Sequence, residues 1–154
     1  MNIIDSFLSI NFSSGREGHN IENIILHTMS GTVSGIDALF RNPDAKVSVH
    51  YGIGLNGDIR RWVLEADAAW QTDNAPTNLQ SIGIMHEDNA NPDDSVRTDA
   101  MYSASAELVA DLCTRYGIPC KLVEVDGNHI PVESGIVLHH QVSLSPTVCP
   151  AALA

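Results

Sequence analysis

Val47–Glu65 reads VSVHYGIGLNGDIRRWVLE. Two β-forming runs, 47–55 and 58–65, flank Asn56-Gly57, a dipeptide that favours a tight hairpin because both residues tolerate positive φ. An antiparallel pair is therefore expected in the middle of the chain. Working outward, IENIILHT (21–28), SIGIMHED (81–88) and GIVLHHQV (135–142) are mostly apolar runs that read as buried strands. KLVEVD (121–126) reads as a further short strand. GIDALFRN (35–42) reads as a short helix closed by Asn42-Pro43. From Thr98 to Tyr116, the residues Met101, Leu108, Val109, Leu112, Cys113 and Tyr116 fall on one helical face, with Thr98 as N-cap and Gly117 and Pro119 as the stop. The stretches 65–78 and 89–97 read as irregular. Strands and helices interleave around one hairpin, which predicts a single α/β domain: a central mixed β-sheet with flanking helices. Residues 1–20 are expected to form an N-terminal arm packed on the main domain at 21–154.

The 154 residues are enough for one domain with a real core. No apolar run approaches a membrane span. Eight Lys+Arg against nineteen Asp+Glu give a formal net charge of −11. That balance argues against nucleic acid and against an anionic membrane as partners, since both need clustered basic side chains. The N-terminus lacks the basic start and long apolar block of a secretory signal, so the protein reads as made in the cytoplasm, unless a signal lies outside this sequence. The cysteines at 113, 120 and 149 do not make a disulfide-dense scaffold. Cys113 and Cys120 are close enough in sequence to pair in an oxidising setting, with buried free thiols as the plainer reading.

His27 ends one apolar run and precedes a Gly/Ser loop. His139 lies in another run, and Cys149 follows ten residues later. Two imidazoles and a thiolate suit Zn²⁺, and three protein ligands would leave a fourth position open for water or substrate. The plain alternatives are structural histidines and a small buried thiol. No compact ligand motif is present, and His140 competes with His139 because adjacent strand residues face opposite ways.

Five blocks occur in this order: IILHTMSGT (24–32), VSVHYGIGLNGDIRRWVLEADAAW (47–70), NLQSIGI (78–84), LCTRYGIP (112–119) and GIVLHHQVSLSPTVCP (135–150). In these blocks the chain resembles the zinc-dependent N-acetylmuramoyl-L-alanine amidases, the family of phage endolysins, bacterial autolysins and peptidoglycan-recognition proteins. The resemblance runs from about Asn11 to Pro150. It implies one zinc ion on His27, His139 and Cys149, with His139 chosen over His140. It also implies hydrolysis of the amide between N-acetylmuramic acid and L-alanine in bacterial peptidoglycan, by a monomer acting on the cell wall. A phage endolysin or autolysin catalytic domain is the source it points to.

The chain departs from the family where proton transfer is concerned. Met85 stands where one branch has its general-base glutamate. Val49 and Thr147 stand where another branch has a catalytic tyrosine and lysine. A thioether cannot shuttle a proton. Turnover is therefore expected to be impaired, or the base relocated, or the chain to bind peptidoglycan without cutting it. Glu87, two residues beyond Met85, is the candidate replacement base, with a solvated carboxylate as the plain alternative. Thr147 is a candidate for hydrogen bonding to the substrate carbonyl, or a turn residue. Trp70, Asn78 and His50 are substrate-contact candidates, with structural roles as the alternatives.

Overall fold

The computed structural model describes residues 1–6, 9–91 and 96–150. Part of the polar loop expected over 89–97 therefore lies outside the described residues. Strands β3 (Asn23–Thr28) and β7 (Ser81–His86) form the centre of a six-stranded sheet. Its order is β1 (Ile3–Asp5), β5 (Ile59–Arg61), β4 (Tyr51–Ile53), β7, β3 and β8 (Gly135–Leu138). Only β4 and β5 run antiparallel. They are the hairpin that Asn56-Gly57 announces, with Gly57 at φ +85°. All other neighbours are parallel, so the sheet is mixed. A two-stranded antiparallel ribbon joins β2 (Phe12–Ser13) to β6 (Ala68–Ala69). Residues 1–20 thus contribute β1 to the main sheet and β2 to this ribbon.

The central strands are apolar on both faces because both faces are covered. Ile24, Ile82 and Ile84 point to α3 (Asp99–Tyr116) and pack with Met101, Leu108 and Leu112. Thr98 caps α3 by accepting the Met101 N–H at 3.1 Å, and Gly117 ends it at φ +67°, a left-handed conformation that glycine adopts without strain. Behind the opposite face, α1 (Val33–Phe40) packs Ile36 and Phe40 with Met29, Val49 and Trp62. Ile25 packs there with Val123, Val137 and Val142. Alternation along β3 sends His27 to the same side as Ile25, away from α3. No helix among the described residues is long and apolar enough to cross a membrane.

Four local expectations differ from the structure. The run 47–55 is strand only at 51–53. KLVEVD forms isolated bridges, Leu122 to Ile136 and Val125 to Pro131, in place of a strand. Ala75–Leu79, expected to be irregular, is a short helix, α2, with Pro76 in its first turn, where a missing N–H leaves nothing unpaired. GIVLHHQV is strand only to Leu138, and His139–Val142 is a short helix, α4. The switch is made by Gln141, whose side-chain oxygen accepts the Leu138 N–H at 2.8 Å and turns the chain. The strand-alternation contrast between His139 and His140 therefore does not apply.

The loop after β5 is tied to α3 by Glu65. Its carboxylate accepts from the Tyr51 and Tyr116 hydroxyls and takes a two-pronged pair from Arg115, at 2.6 and 2.8 Å. Burial pushes this carboxyl up, but the hydrogen bonds from Arg115, Tyr116 and Tyr51 outweigh it and hold it at about 2, below its ordinary 4.5. A depressed carboxylate stabilises the fold above its unfolded pKa, and the contribution disappears as pH falls through the folded one. Glu65→Gln is expected to lower Tm at pH 7 by roughly 5 °C. The gap between variant and wild type should close as pH drops from 4.5 towards 2. A gap that persists unchanged at pH 2.5 would mean the carboxylate's charge is not what holds the loop.

Candidate metal centre

Three elements end at one spot. β3 delivers His27 at its carboxyl end, α4 begins with His139 immediately after β8, and the loop that follows returns with Cys149. One ligand atom from each lies within 4.8 Å of the others. The rings of His27 and His139 have centroids 4.4 Å apart and are tilted by 44°. Two backbone hydrogen bonds seat the cysteine. The His140 N–H donates to the Cys149 carbonyl at 2.7 Å, and the Thr28 N–H donates to Cys149 Sγ at 3.2 Å. His140 itself points to solvent.

Burial holds His27 well below the ordinary imidazole range, helped by the neighbouring His139 ring, and burial also lowers His139. Both rings are therefore neutral at pH 7, the form that coordinates a metal. Burial pushes the Cys149 thiol up, and the Thr28 N–H and hydroxyl oppose it. His139 Nδ1 is buried without a hydrogen-bond partner in the structure, a state that costs about 1–3 kcal/mol unless something fills it. A cation would satisfy that orphan, and it would stabilise the thiolate beside two neutral imidazoles. The residues therefore fit a metal ion of borderline softness.

The cluster opens into a cleft of about 490 Å³ with two unlike walls. One is apolar: Ile36, Leu39, Phe40, Val47, Val49 and Met85. The other carries Trp70, Gln71, Thr72, Asp73 and Ser143. Met85 sits beside His27 because β3 and β7 pair in the register His27 to Met85. Among the described lining residues, Lys46 and Asp73 are the charged groups outside the cluster itself.

The other sequence candidates divide. Trp70 lines the cleft, and its indole N–H donates to the Ser13 hydroxyl at 2.9 Å. Thr147 lines a smaller cavity of about 140 Å³ that also touches Cys149, and its hydroxyl accepts the Cys149 N–H at 3.2 Å. Glu87 does not line the cleft. The strand ends at His86, so the two-residue step that would align Glu87 with Met85 fails. Its oxygens instead accept the N–H groups of Val33 at 3.0 Å and Leu55 at 2.9 Å. Asn78 holds the loop before α2 through three bonds to Thr72, of 2.9 to 3.0 Å. His50 is fully buried away from the cleft. Its Nδ1 accepts the Gly83 N–H at 3.1 Å, which leaves Nε2–H for the Asp67 carbonyl at 3.1 Å. Burial and then the adjacent Arg16 lower it to about 3, so it is a neutral structural histidine.

Two residues that the sequence did not single out belong to the site. Gln71 Oε1 lies 3.3 Å from His27 Nε2. Asp73 accepts the N–H groups of Leu144 at 2.7 Å and Ser145 at 2.9 Å, pinning the segment that carries Cys149. Only their place after Trp70 could have drawn attention to them.

A family model described as N-acetylmuramoyl-L-alanine amidase matches residues 17–152. The curated N-acetylmuramoyl-L-alanine amidase A of Achromobacter lyticus is 40% identical over 98 residues, which is 63% of this chain and 54% of that protein. The match thus spans about half the length of that relative. Among solved structures, the N-acetylmuramoyl-L-alanine amidase LysC from Clostridium intestinale URNW aligns with a TM-score of 0.71 and 18% identity, covering 98% of this chain and 89% of that one. The Staphylococcus aureus hydrolase AmiA aligns with a TM-score of 0.71 and 20% identity, covering 92% and 67%. At these identities the structures establish the shared fold.

Asp73→Ala removes both acceptors from the 143–145 turn. The expected result is a Tm lower by a few degrees, equivalent to about 1 kcal/mol, with faster amide exchange at Leu144 and Ser145. Unchanged exchange at those two amides would show that Asp73 does not pin the segment.

Proposed function

This chain belongs to the N-acetylmuramoyl-L-alanine amidase family, and we propose that it hydrolyses the amide between N-acetylmuramic acid and L-alanine in bacterial peptidoglycan, using one zinc ion held by His27, His139 and Cys149. The observation that carries this reading is the His–His–Cys cluster within 4.8 Å at the floor of a cleft. When bound, zinc supplies Lewis acidity to the scissile carbonyl and acidifies a water. The protein's own part is to orient and to exclude solvent. The cysteine is fixed between the end of β3 and the start of α4, and the two imidazoles are desolvated and neutral. The substrate lies between the apolar wall and the Trp70–Asp73 wall. We read residues 21–154 as the catalytic unit of a monomer that acts on the cell wall, with 1–20 as an arm packed on it.

Proton transfer is the weak step. The position beside His27 is Met85, which neither accepts nor donates a proton. Glu87 is committed to two backbone N–H groups. Asp73 spends its oxygens on the 143–145 turn, and the hydrogen bonds of Ser145, Leu144 and Ser143 outweigh burial and hold it below its ordinary value. Thr147 has a hydroxyl near the cysteine but is no base at neutral pH. Loss of a positioned acid–base group lowers a rate by about 100- to 10,000-fold. Met85 also favours a second reading, a peptidoglycan-binding module of the same fold with negligible turnover. A preserved three-donor cluster in the cleft speaks for the hydrolase, since binding alone needs no such cluster.

Two results are expected. The protein binds one equivalent of zinc, and Cys149→Ala weakens binding by at least about 100-fold, while Cys113→Ser and Cys120→Ser leave it unchanged; calorimetry and metal analysis check this. With zinc supplied, Met85→Glu raises the rate of amide cleavage by about 100-fold or more, followed as new alanine amino groups on purified peptidoglycan. A wild-type rate that glutamate does not improve would place the proton shuttle elsewhere. Sedimentation with insoluble peptidoglycan in the absence of turnover would select the binding module.

A further inference from the structure

Gln71 offers a site role that neither its residue type nor its spacing announces. Its side chain is buried and spans from β7 to the ring of His27. The amide nitrogen donates to Ser81 Oγ at 2.9 Å and faces the Ser81 carbonyl at 3.5 Å. Ser81 Oγ spends its own proton on the Thr77 carbonyl at 2.5 Å, so towards Gln71 it can only accept. Both groups on that side are therefore acceptors, which fixes the amide with its nitrogen towards Ser81 and its oxygen towards His27. Orientation of a side-chain amide is assigned from such a network, and here the network admits one choice. The oxygen lies 3.3 Å from His27 Nε2 and can only accept, so Nε2 carries the ring proton. The Nδ1 lone pair is left free.

The room for this amide is made by Gly83. A Cβ at position 83 would lie 1.8 Å from Gln71 Oε1 and 2.8 Å from its carbonyl carbon. Gly83 faces Ile25 across the β3–β7 ladder, two residues before the His27–Met85 pair. A residue with no side chain in the middle of a central strand gives up packing. Here the space it leaves is filled by the group that holds His27.

We propose that Gln71 is a positioning residue for the metal centre. It locks His27 in the Nε2–H tautomer and presents Nδ1 to the ion, through the relay Thr77 carbonyl, Ser81 hydroxyl, Gln71 amide, His27 ring, in the space kept by Gly83. The proposal rests on the zinc reading of the cluster. A ligand histidine whose second nitrogen is held by a hydrogen-bond acceptor keeps its orientation, and losing such a partner costs about 10- to 100-fold in metal affinity.

The test uses the full chain with two readouts. Long-range ¹H–¹⁵N NMR of the metal-free protein reads the tautomer of His27. Competition with a chromophoric chelator reads zinc affinity. The wild type is expected to show Nε2–H at His27. Gln71→Ala and Gln71→Leu should give a mixed tautomer and an affinity lower by about 10- to 100-fold, with the folded far-UV and amide spectra retained. Gly83→Ala should reproduce the loss by evicting the amide. In the Gln71→Ala background, Gly83→Ala should add nothing further, because both changes act through one group. Nδ1–H at His27 in the wild type, or wild-type zinc affinity in both Gln71 variants, would overturn the proposal. Additive losses at 71 and 83 would also overturn it, by indicating general loosening. If the wild type binds no zinc, the metal reading fails while the tautomer still decides whether Gln71 sets the ring.

Discussion

The parallel pairing of β3 between β7 and β8 is the constraint on which the site depends. Parallel neighbours bring their carboxyl ends to the same edge of the sheet, and that edge is where ligands collect in open α/β sheets. His27 is the penultimate residue of β3, His139 follows β8 directly, and Met85 and His86 end β7. One register, His27 opposite Met85, decides which side chain stands beside the first histidine. A slip of one residue would send His27 towards α3 and dissolve the site with it. The apolar burial of Ile24, Ile82 and Ile84 against α3 is what forbids that slip.

Much of this was legible in the chain because it is written locally. The Asn56-Gly57 hairpin, the Thr98 cap, the Gly117 stop and the apolar central strands each depend on a few neighbouring residues. What stayed hidden works at long range or through a side chain that interrupts a pattern. The strand-like run GIVLHHQV gives no warning that Gln141 reaches back to the Leu138 N–H and starts a helix at His139. Glu87 looked aligned with Met85 under strand alternation, but a carboxylate beyond the strand end found the N–H groups of Val33 and Leu55 first. Gln71 and Asp73 act on residues 44 and about 70 positions away, and no periodicity encodes such partners. The three-donor set was visible as residue types. Its closure needed the Cys149 carbonyl to meet the His140 N–H.

Met85 completes the apolar side of the cleft. A carboxylate there would sit partly buried beside Val33 and the α1 cluster, where desolvation raises a carboxyl towards neutrality, the condition a general base needs. Methionine fills that position without a charge and packs against the α1 cluster. It extends the apolar wall of Val49, Phe40 and Ile36 down to the floor beside His27. The sheet's packing and the donor set therefore do not rely on a charge at that position.

The polar wall has its own support, and it comes from the N-terminal segment. The Arg16 guanidinium is buried and donates to the carbonyls of Glu65 at 2.7 Å, Leu79 at 2.8 Å and Ser81 at 3.1 Å, with Nη2 3.0 Å from His50. Burial lowers it to about 10, opposed by Tyr116, Glu65 and Asp67, so it remains a cation at pH 7. Those carbonyls bracket the segment 65–81, which carries Trp70, Gln71 and Asp73. One buried cation thus closes that loop at both ends and hands Ser81 to Gln71 in a fixed place. A loop of this length would otherwise keep considerable conformational freedom. A neutral side chain at position 16 would take away the donor that the Glu65, Leu79 and Ser81 carbonyls share. Through Ser81 and Gln71, the same cation is linked by hydrogen bonds to the ring of His27.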